Sequence, residues 1–490
     1  MIKRTLVSSA ILMGLLTSIP VQADIFGDIG GWVDDNIIDP IEDEIIEPIE
    51  EAVDEVLDPV DDVVELVGNI GNAGIHDYKL DTDAWRIKAL RLQNRLDHAL
   101  PLNDALFIGT HNSFNATDYS NGTSYIDPNH RLSLYDQLNA GMVSLELDVH
   151  YDFNVRTGMD LMLCHRKEKG EISDGACSVF DRTFKQGLTE INNWLADNPN
   201  DVIFIYIEDF MEGGEYNKAI SYLNQTIGDK VYRPQGEGCQ NLPMDVSKSA
   251  ILNQGKQVLL FGQGQTCQAS SEWQTWAFGG TAWDGGKAKD ARQGACKVPA
   301  DGRWLRYFED RTIAASLLAG RDDSENITAD DMQSLLACGA NFIGLDMLGY
   351  ADSDRITGAI WSWNKGEPNV YGDGEDCAES HSNGRFNDLS CESIRTFACK
   401  NDNDEWYVTT GTGQWSEGKA ICAAETDGKY TFATPQTYIQ NQGLIQAKQA
   451  AGESRVWLAY TDQYSEGNWK IKTQVKDPFA NFDWDWSDIW

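Results

Sequence analysis

From Lys79 onward the hydrophobic positions alternate between two textures. Short apolar runs read as strands: ALFIG (105–109), MVSLELDVHY (142–151), MDLMLCH (159–165), DVIFIYIEDF (201–210), QVLLFGQ (257–263) and NFIGLDMLGY (341–350). Between them lie stretches with helical spacing: RLSLYDQLNAG (131–141), FKQGLTEINNWLADNPN (184–200), NKAISYLNQTIG (217–228) and DDMQSLLACGA (330–340). Strands that alternate with amphipathic helices predict an α/β fold with a parallel sheet. A span of roughly 270 residues, 79–350, suits one (β/α) barrel of the TIM type. After Tyr350 the helical period fades and Trp, Gly, Asn and Cys become frequent, which predicts a second domain over 351–490.

The first residues have another pattern. MIKRTLVSSAILMGLLTSIPVQA carries Lys3 and Arg4, then an apolar middle, then small residues, and predicts a signal peptide over 1–23. Its apolar core is too short to span a bilayer comfortably. Residues 24–78 hold no Lys or Arg; their apolar positions are close to helical spacing but interrupted by Pro40, Pro48 and Pro59, which predicts an acidic, partly helical leader or linker. The expected product is secreted or periplasmic.

Composition sharpens this. Ten cysteines, none in a CxxC pair, predict disulfides in an exported chain. Cys164–Cys177 is the expected pair beside His165, where it would brace the loop. A net charge of −38 argues against nucleic acid and against electrostatic adhesion to anionic lipid.

Four of the candidate strands end in ionisable or metal-binding groups: His111-Asn112, then Glu146-Leu147-Asp148-Val149-His150, then His165, then Glu208-Asp209. Strand alternation places Glu146, Asp148 and His150 on one face. Two carboxylates directed into a barrel repel each other unless a cation or proton lies between them. Oxygen ligands from Asn112, Glu146, Asp148 and Glu208 suit calcium rather than zinc. Two histidines beside a hard cation suit phosphoryl chemistry.

GTHNSF (109–114), QLNAGMVSLELDVHYD (137–152), LCHR (163–166) and VIFIYIEDF (202–210) together resemble the X region of phosphatidylinositol-specific phospholipase C, closest to its calcium-dependent branch. Asn112 after His111 carries that distinction, since metal-independent bacterial members typically have Asp there. The resemblance implies that Asn112, Glu146, Asp148 and Glu208 hold calcium, that His111 stabilises charge on the phosphoryl oxygens, that His165 is the general acid, and that Glu146 takes the proton of the attacking hydroxyl. The implied substrate is a phosphatidylinositol-type phospholipid met by peripheral membrane contact, and the implied products are diacylglycerol and a cyclic inositol phosphate. Arg306 is a weak candidate for reading the inositol ring. Glycerophosphodiesterases and sphingomyelinase D-type enzymes share the barrel, the histidines and the Glu-x-Asp pair; the former usually begin with His-Arg-Gly, absent here, and the latter lack GTHNS.

The stretch 360–400 resembles the second half of a C-type lectin domain, through Glu367-Pro368-Asn369, Glu375 before Asp376-Cys377, and Asn387-Asp388. Features of a lectin's first half follow it, in QWSEGKAICAAE (414–425) and VWLAYTDQYSEGNW (456–469), so the domain resembles a circular permutation, which is physically easy when termini lie side by side. The likeness implies Cys377–Cys391 and Cys399–Cys422 disulfides, a calcium held by Glu367, Asn369, Glu375, Asn387 and Asp388, and mannose- or glucose-type glycans as ligands. The reading from another class is a carbohydrate-binding adhesin on an inactive barrel; the set His111, Asn112, Glu146, Asp148, His165 and Glu208 speaks against it.

Overall fold

The computed structural model describes residues 84–120, 124–125, 127–165, 177–262, 267, 270–279, 306–312, 327–349, 353–369 and 374–472. The signal peptide and acidic leader expected at 1–78, and the Trp-rich stretch at 482–490, lie outside the described residues.

Six strands form a parallel sheet that curls into a partial barrel: β1 (Phe107–Thr110), β2 (Ser144–Asn154), β4 (Ile203–Phe210), β5 (Val258–Gly262), β6 (Arg306–Phe308) and β7 (Phe342–Leu345), in spatial order β5-β4-β2-β1-β7-β6. The helices of this part are α1 (Trp85–Gln93), α2 (Leu134–Asn139), α3 (Phe184–Asp197), α4 (Glu215–Gln225), α5 (Lys248–Leu252), α6 (Ala329–Ala337) and α7 (Ser353–Ala359). Their starts are written locally. Ser133 caps α2, and Thr183 with Gln186 and Thr328 with Asp331 form capping boxes on α3 and α6. The main core lies between β2, β4 and β5 and the buried faces of α3 and α4, through Leu145, Leu147, Val149, Leu188, Ile191 and Leu223.

MDLMLCH departs from the parallel scheme. It forms β3 (Gly158–Leu163), which pairs antiparallel with the far half of β2, from Val149↔Leu163 to Asn154↔Gly158. Three residues connect the strands, and a parallel return needs a crossover of a dozen or more. The hairpin brings the chain back to Asp148, whose carbonyl accepts from the Cys164 N–H at 3.3 Å.

Alternation along each strand builds the inner face. The columns read Phe107, Gly109, His111; Ser144, Glu146, Asp148; Phe204, Tyr206, Glu208; Phe342, Gly344, Asp346; and Arg306, Phe308. Aromatic rings close the lower layer, with Phe107 stacked on Phe342 at 5.1 Å and Phe204 4.5 Å from Phe342. Gly109 has to be glycine, since a Cβ there would lie 1.8 Å from the Ser144 carbonyl oxygen on β2.

The C-terminal part holds β8 (Cys377–Ser380), β9 (Phe386–Leu389), β10 (Thr396–Lys400), β11 (Trp406–Val408), β12 (Thr431–Phe432), β13 (Val456–Thr461) and β14 (Lys470–Ile471), with α8 (Gly418–Glu425) and α9 (Tyr438–Ala451). Its sheet runs β11-β10-β13-β8-β9, with β12 on β10 and β14 on β13; only the β10–β13 pair is parallel. Disulfides join Cys377 to Cys391, Cys399 to Cys422, Cys164 to Cys177 and Cys239 to Cys267. One hydrophobic cluster runs through both parts, from Leu90, Ile343 and Leu336 to Trp363, Phe386 and Leu444. Gln93 of α1 stitches the junction: its Nε2 donates to the Ala359 carbonyl at 2.9 Å, and its Oε1 accepts from the Trp361 N–H at 2.7 Å. α7, placed beyond residue 350 in the sequence, packs on α6 and α1 of the barrel.

Candidate active site

The C-terminal ends of β1, β2, β4 and β7 form one mouth. Asp148 and Glu208 are register partners on β2 and β4, and Glu146 stands two residues back on the same face. One oxygen from each of the three carboxylates lies within 4.8 Å of the others, the one metal-type cluster of this kind among the described residues. Asp148 is fully buried and neither of its oxygens accepts a hydrogen bond. Burial, then the Glu208 and Glu146 charges, push its carboxyl well above the usual range.

Asn112 follows at the end of β1 in a left-handed conformation, φ 46°, which Asn tolerates better than most residues. Its Oδ1 is buried and likewise without a hydrogen bond. Leaving such acceptors dry costs free energy unless something positive meets them. Three clustered carboxylates, of which Asp148 is orphaned, beside the orphaned Asn112 Oδ1 therefore fit a hard cation with oxygen ligands. Glu146 has a partner of its own: the Arg306 guanidinium bonds its Oε2, packed 4.3 Å over the Tyr206 ring.

His111 is buried at the same mouth, its ring stacked on Phe308 at 4.9 Å. Its Nδ1 meets Asp346 Oδ2 at 3.2 Å. Burial alone would lower the imidazole, but the Asp346 and Glu146 carboxylates outweigh it and raise it to about 10. Asp346 is itself raised to about 6 by burial, although His111 pulls the other way. Asp346 is anchored further: Oδ2 accepts from the Arg311 N–H at 2.6 Å and Oδ1 from Asn129 Nδ2 at 3.2 Å. Behind it, Glu309 accepts from the Asp346 N–H at 2.7 Å and pairs with Arg355, which donates to the Asp346 carbonyl at 2.8 Å. His130, lowered to about 3 chiefly by burial and so neutral, holds the His111 carbonyl at 2.6 Å.

His165 is exposed, at the end of the β3 return and next to the Cys164–Cys177 disulfide. The structure thus brings His111, Asn112, Glu146, Asp148 and Glu208 together, with the backbone of Cys164 tied to Asp148. His150, on the face of Glu146 and Asp148, stacks on Phe210 at 4.2 Å. Asp346 was not singled out in the sequence. The signal was available: in NFIGLD the period of two sets Asp346 on the face of Phe342 and Gly344, at the end of a strand.

In the C-terminal part, Asn369 donates to Glu367 Oε2 from its backbone at 3.1 Å. Asn387 and Asp388 lie on β9. Burial, then a hydrogen bond with Glu367, raise the Asp388 carboxyl to about 8. Glu375 is raised by burial and by the Glu367 charge. Asp388 Oδ1 and Asn369 Oδ1 are buried and unpaired. Glu367, Asn369 and Asp388 thus meet, Glu375 feels the same field, and Asn387 adjoins through its bond to the Asp388 carbonyl.

A curled parallel sheet with helical crossovers and an acid-histidine mouth is the fold of phosphatidylinositol-specific phospholipase C-like barrels. A family model described as the Rv2075c PI-PLC-like domain matches residues 63–352, and the chain belongs to that family. Two uncharacterized proteins from strains of Mycobacterium tuberculosis, Rv2075c and MT2135, are each 28% identical over 401 residues, covering 77% of this chain and 80% of theirs. Among solved structures, the phosphatidylinositol-specific phospholipase C of Listeria monocytogenes superposes with a TM-score of 0.38 at 16% identity, covering 56% of this chain and 97% of that one. The calcium-dependent enzyme of a Pseudomonas species gives 0.31 at 13% identity, covering 51% and 91%.

Proposed function

We propose that this chain is an exported, calcium-dependent phosphodiesterase that cleaves phosphatidylinositol-type lipids on the glycerol side of the phosphate. The observation that carries the reading is the pair of unsatisfied Asp148 oxygens, between Glu146 and Glu208 and facing the His111–Asp346 pair. Calcium held by Asn112, Glu146, Asp148 and Glu208 would supply positive charge beside the phosphate. Protonated His111, kept so by Asp346, donates to a phosphoryl oxygen as negative charge builds there. Glu146 takes the proton of the inositol 2-hydroxyl as that oxygen bonds to phosphorus. The bond from phosphorus to the glycerol oxygen breaks, and His165 protonates the leaving oxygen. The products are diacylglycerol and a cyclic inositol phosphate. Acid-base help of this kind contributes about 10²–10⁴-fold.

The C-terminal part acts in this reading as a calcium-binding, lectin-like module that takes mannose- or glucose-type glycans and keeps the barrel near glycosylated surfaces. The buried, unpaired Asn369 Oδ1 and Asp388 Oδ1 support the calcium.

The Arg306–Glu146 contact favours a second reading, in which the guanidinium, with protonated His111, takes the place of calcium at the phosphate. One assay separates the two: release of labelled inositol phosphate from phosphatidylinositol vesicles, with and without chelator. Loss of turnover in chelator, restored by calcium, supports the first. Turnover that survives exhaustive chelation supports the second, and no release under either condition removes both.

A further inference from the structure

The candidate cation site has a cation of its own beside it. Arg306, on β6, reaches Glu146 on β2, and its guanidinium bonds Glu146 Oε2. Two strands, β7 and β1, lie between β6 and β2. Their inward residues facing each other in register are Gly344 and Gly109, and neither puts a side chain in the way of a long one. Both partners of the contact are largely buried, with side chains 14% and 7% exposed.

Neither partner is placed to swing away. The guanidinium lies 4.3 Å from the ring centroid of Tyr206 and 4.5 Å from that of Phe308. Stacking of this kind holds a planar cation in position. Glu146 is fixed through its backbone: its N–H donates to Ser113 Oγ at 2.8 Å, and its carbonyl accepts from the Ser113 N–H at 3.0 Å. His111, a second cation at this mouth, differs from Arg306 because Asp346 faces it and offsets its charge.

We infer that Arg306 sets the calcium threshold of the mouth: by holding Glu146 it keeps the site weak, so that the ion loads only where calcium is abundant. This rests on reading the mouth as a calcium site. Calcium affinity follows the charge count and rigidity of the ligands, and weak sites lie at roughly 10⁻⁴–10⁻³ M. Three carboxylates surround the place of the ion, and the guanidinium cancels the charge of one of them. It also engages Oε2, which opposes bidentate ligation of calcium by Glu146. Two cations on one buried carboxylate repel each other more strongly than they would in water. The mouth therefore stays empty at roughly micromolar calcium and fills at about millimolar calcium. The phosphodiesterase is silent at the calcium levels of a cell interior and active outside.

The test is isothermal titration of calcium into the full-length, chelator-stripped protein at neutral pH. The binding component that Asp148→Asn abolishes is that of the mouth, which separates it from calcium bound elsewhere in the chain. In wild type this component is expected at roughly 10⁻⁴–10⁻³ M. Arg306→Met should tighten it by about tenfold or more. Arg306→Gln drops the charge and keeps a polar group beside Glu146; it should shift affinity in the same direction, and it serves in place of the methionine variant should that one melt early. Arg306→Lys, which keeps the charge, should stay close to wild type. A residue that merely propped the site would give the opposite sign, since loosening Glu146 weakens calcium binding. Affinity unchanged or lowered in the methionine and glutamine variants, a lysine variant that tightens as much as they do, or wild-type binding already at roughly micromolar calcium would overturn the role of Arg306 and leave the calcium site standing. The lack of any Asp148-dependent component in wild type and in every variant would remove the calcium reading of the mouth itself, and this inference with it.

Discussion

Asp148 on β2 and Glu208 on β4 are direct neighbours in a parallel ladder, and both point into the mouth of the barrel. Side by side, and with Glu146 on the same face, they concentrate negative charge where Asp148 has no hydrogen bond to offset it.

Asp148→Asn removes that buried charge and leaves the shape intact. In chelator the variant is expected to melt higher than wild type, because an uncompensated buried carboxylate has gone. Calcium, which should raise the wild-type melting temperature, should no longer do so, and turnover should fall by at least the 10²-fold of a lost catalytic group. Differential scanning calorimetry with and without calcium checks both signs; a variant stabilised by calcium as much as wild type would contradict the ligand role.

His111→Ala and His165→Ala should each lower turnover by about 10²–10⁴-fold. Asp346→Asn is expected to be milder and to carry a signature that the histidine variants lack. Asp346 is the largest charge holding His111 at about 10, so without it the imidazole loses its proton at lower pH. The alkaline limb of the rate profile should move toward neutrality. An unchanged limb would separate Asp346 from the function of His111.

Stability in chelator should fall as pH rises from 4 to 8. Asp388 is held near 8 in the fold against an ordinary value near 4. The folded state therefore binds more protons than the unfolded one across that window, and stability declines as pH climbs through it. Asp148, also raised, adds to the same slope. Urea unfolding at several pH values should show the slope in wild type, part of it lost in Asp388→Asn and part in Asp148→Asn.

Arg355→Met strands Glu309, which is fully buried. Breaking a buried pair from one side costs about 3–5 kcal/mol. Arg355→Met combined with Glu309→Gln should recover part of that cost. Because both residues hold the backbone of Asp346, the recovery in urea melts need not be matched in turnover. A single variant as stable as wild type would show that the pair is not needed.

Much of the barrel was legible along the chain because its information is local. A period of two places Glu146 and Asp148 on one face whatever pairs with β2, and the capping residues Ser133, Thr183 and Thr328 stand where their helices begin. The same period could have flagged Asp346 from NFIGLD. The runs of β2 and β3 read along the chain like two members of a parallel series, although they pair antiparallel, since apolar runs look alike in either orientation and only the three-residue connection separates them.

The sequence by itself determined which side chains face inward on each strand, where the helices start, and that acids, amides and histidines gather at strand ends. Only the tertiary structure decided that Asp346 meets His111 across 235 residues, that Arg306 sits on Glu146, and that one hydrophobic cluster joins the barrel to the C-terminal sheet. Alternation is a property of each strand alone, whereas these meetings depend on sheet order and register, which are set by packing between segments far apart in the chain.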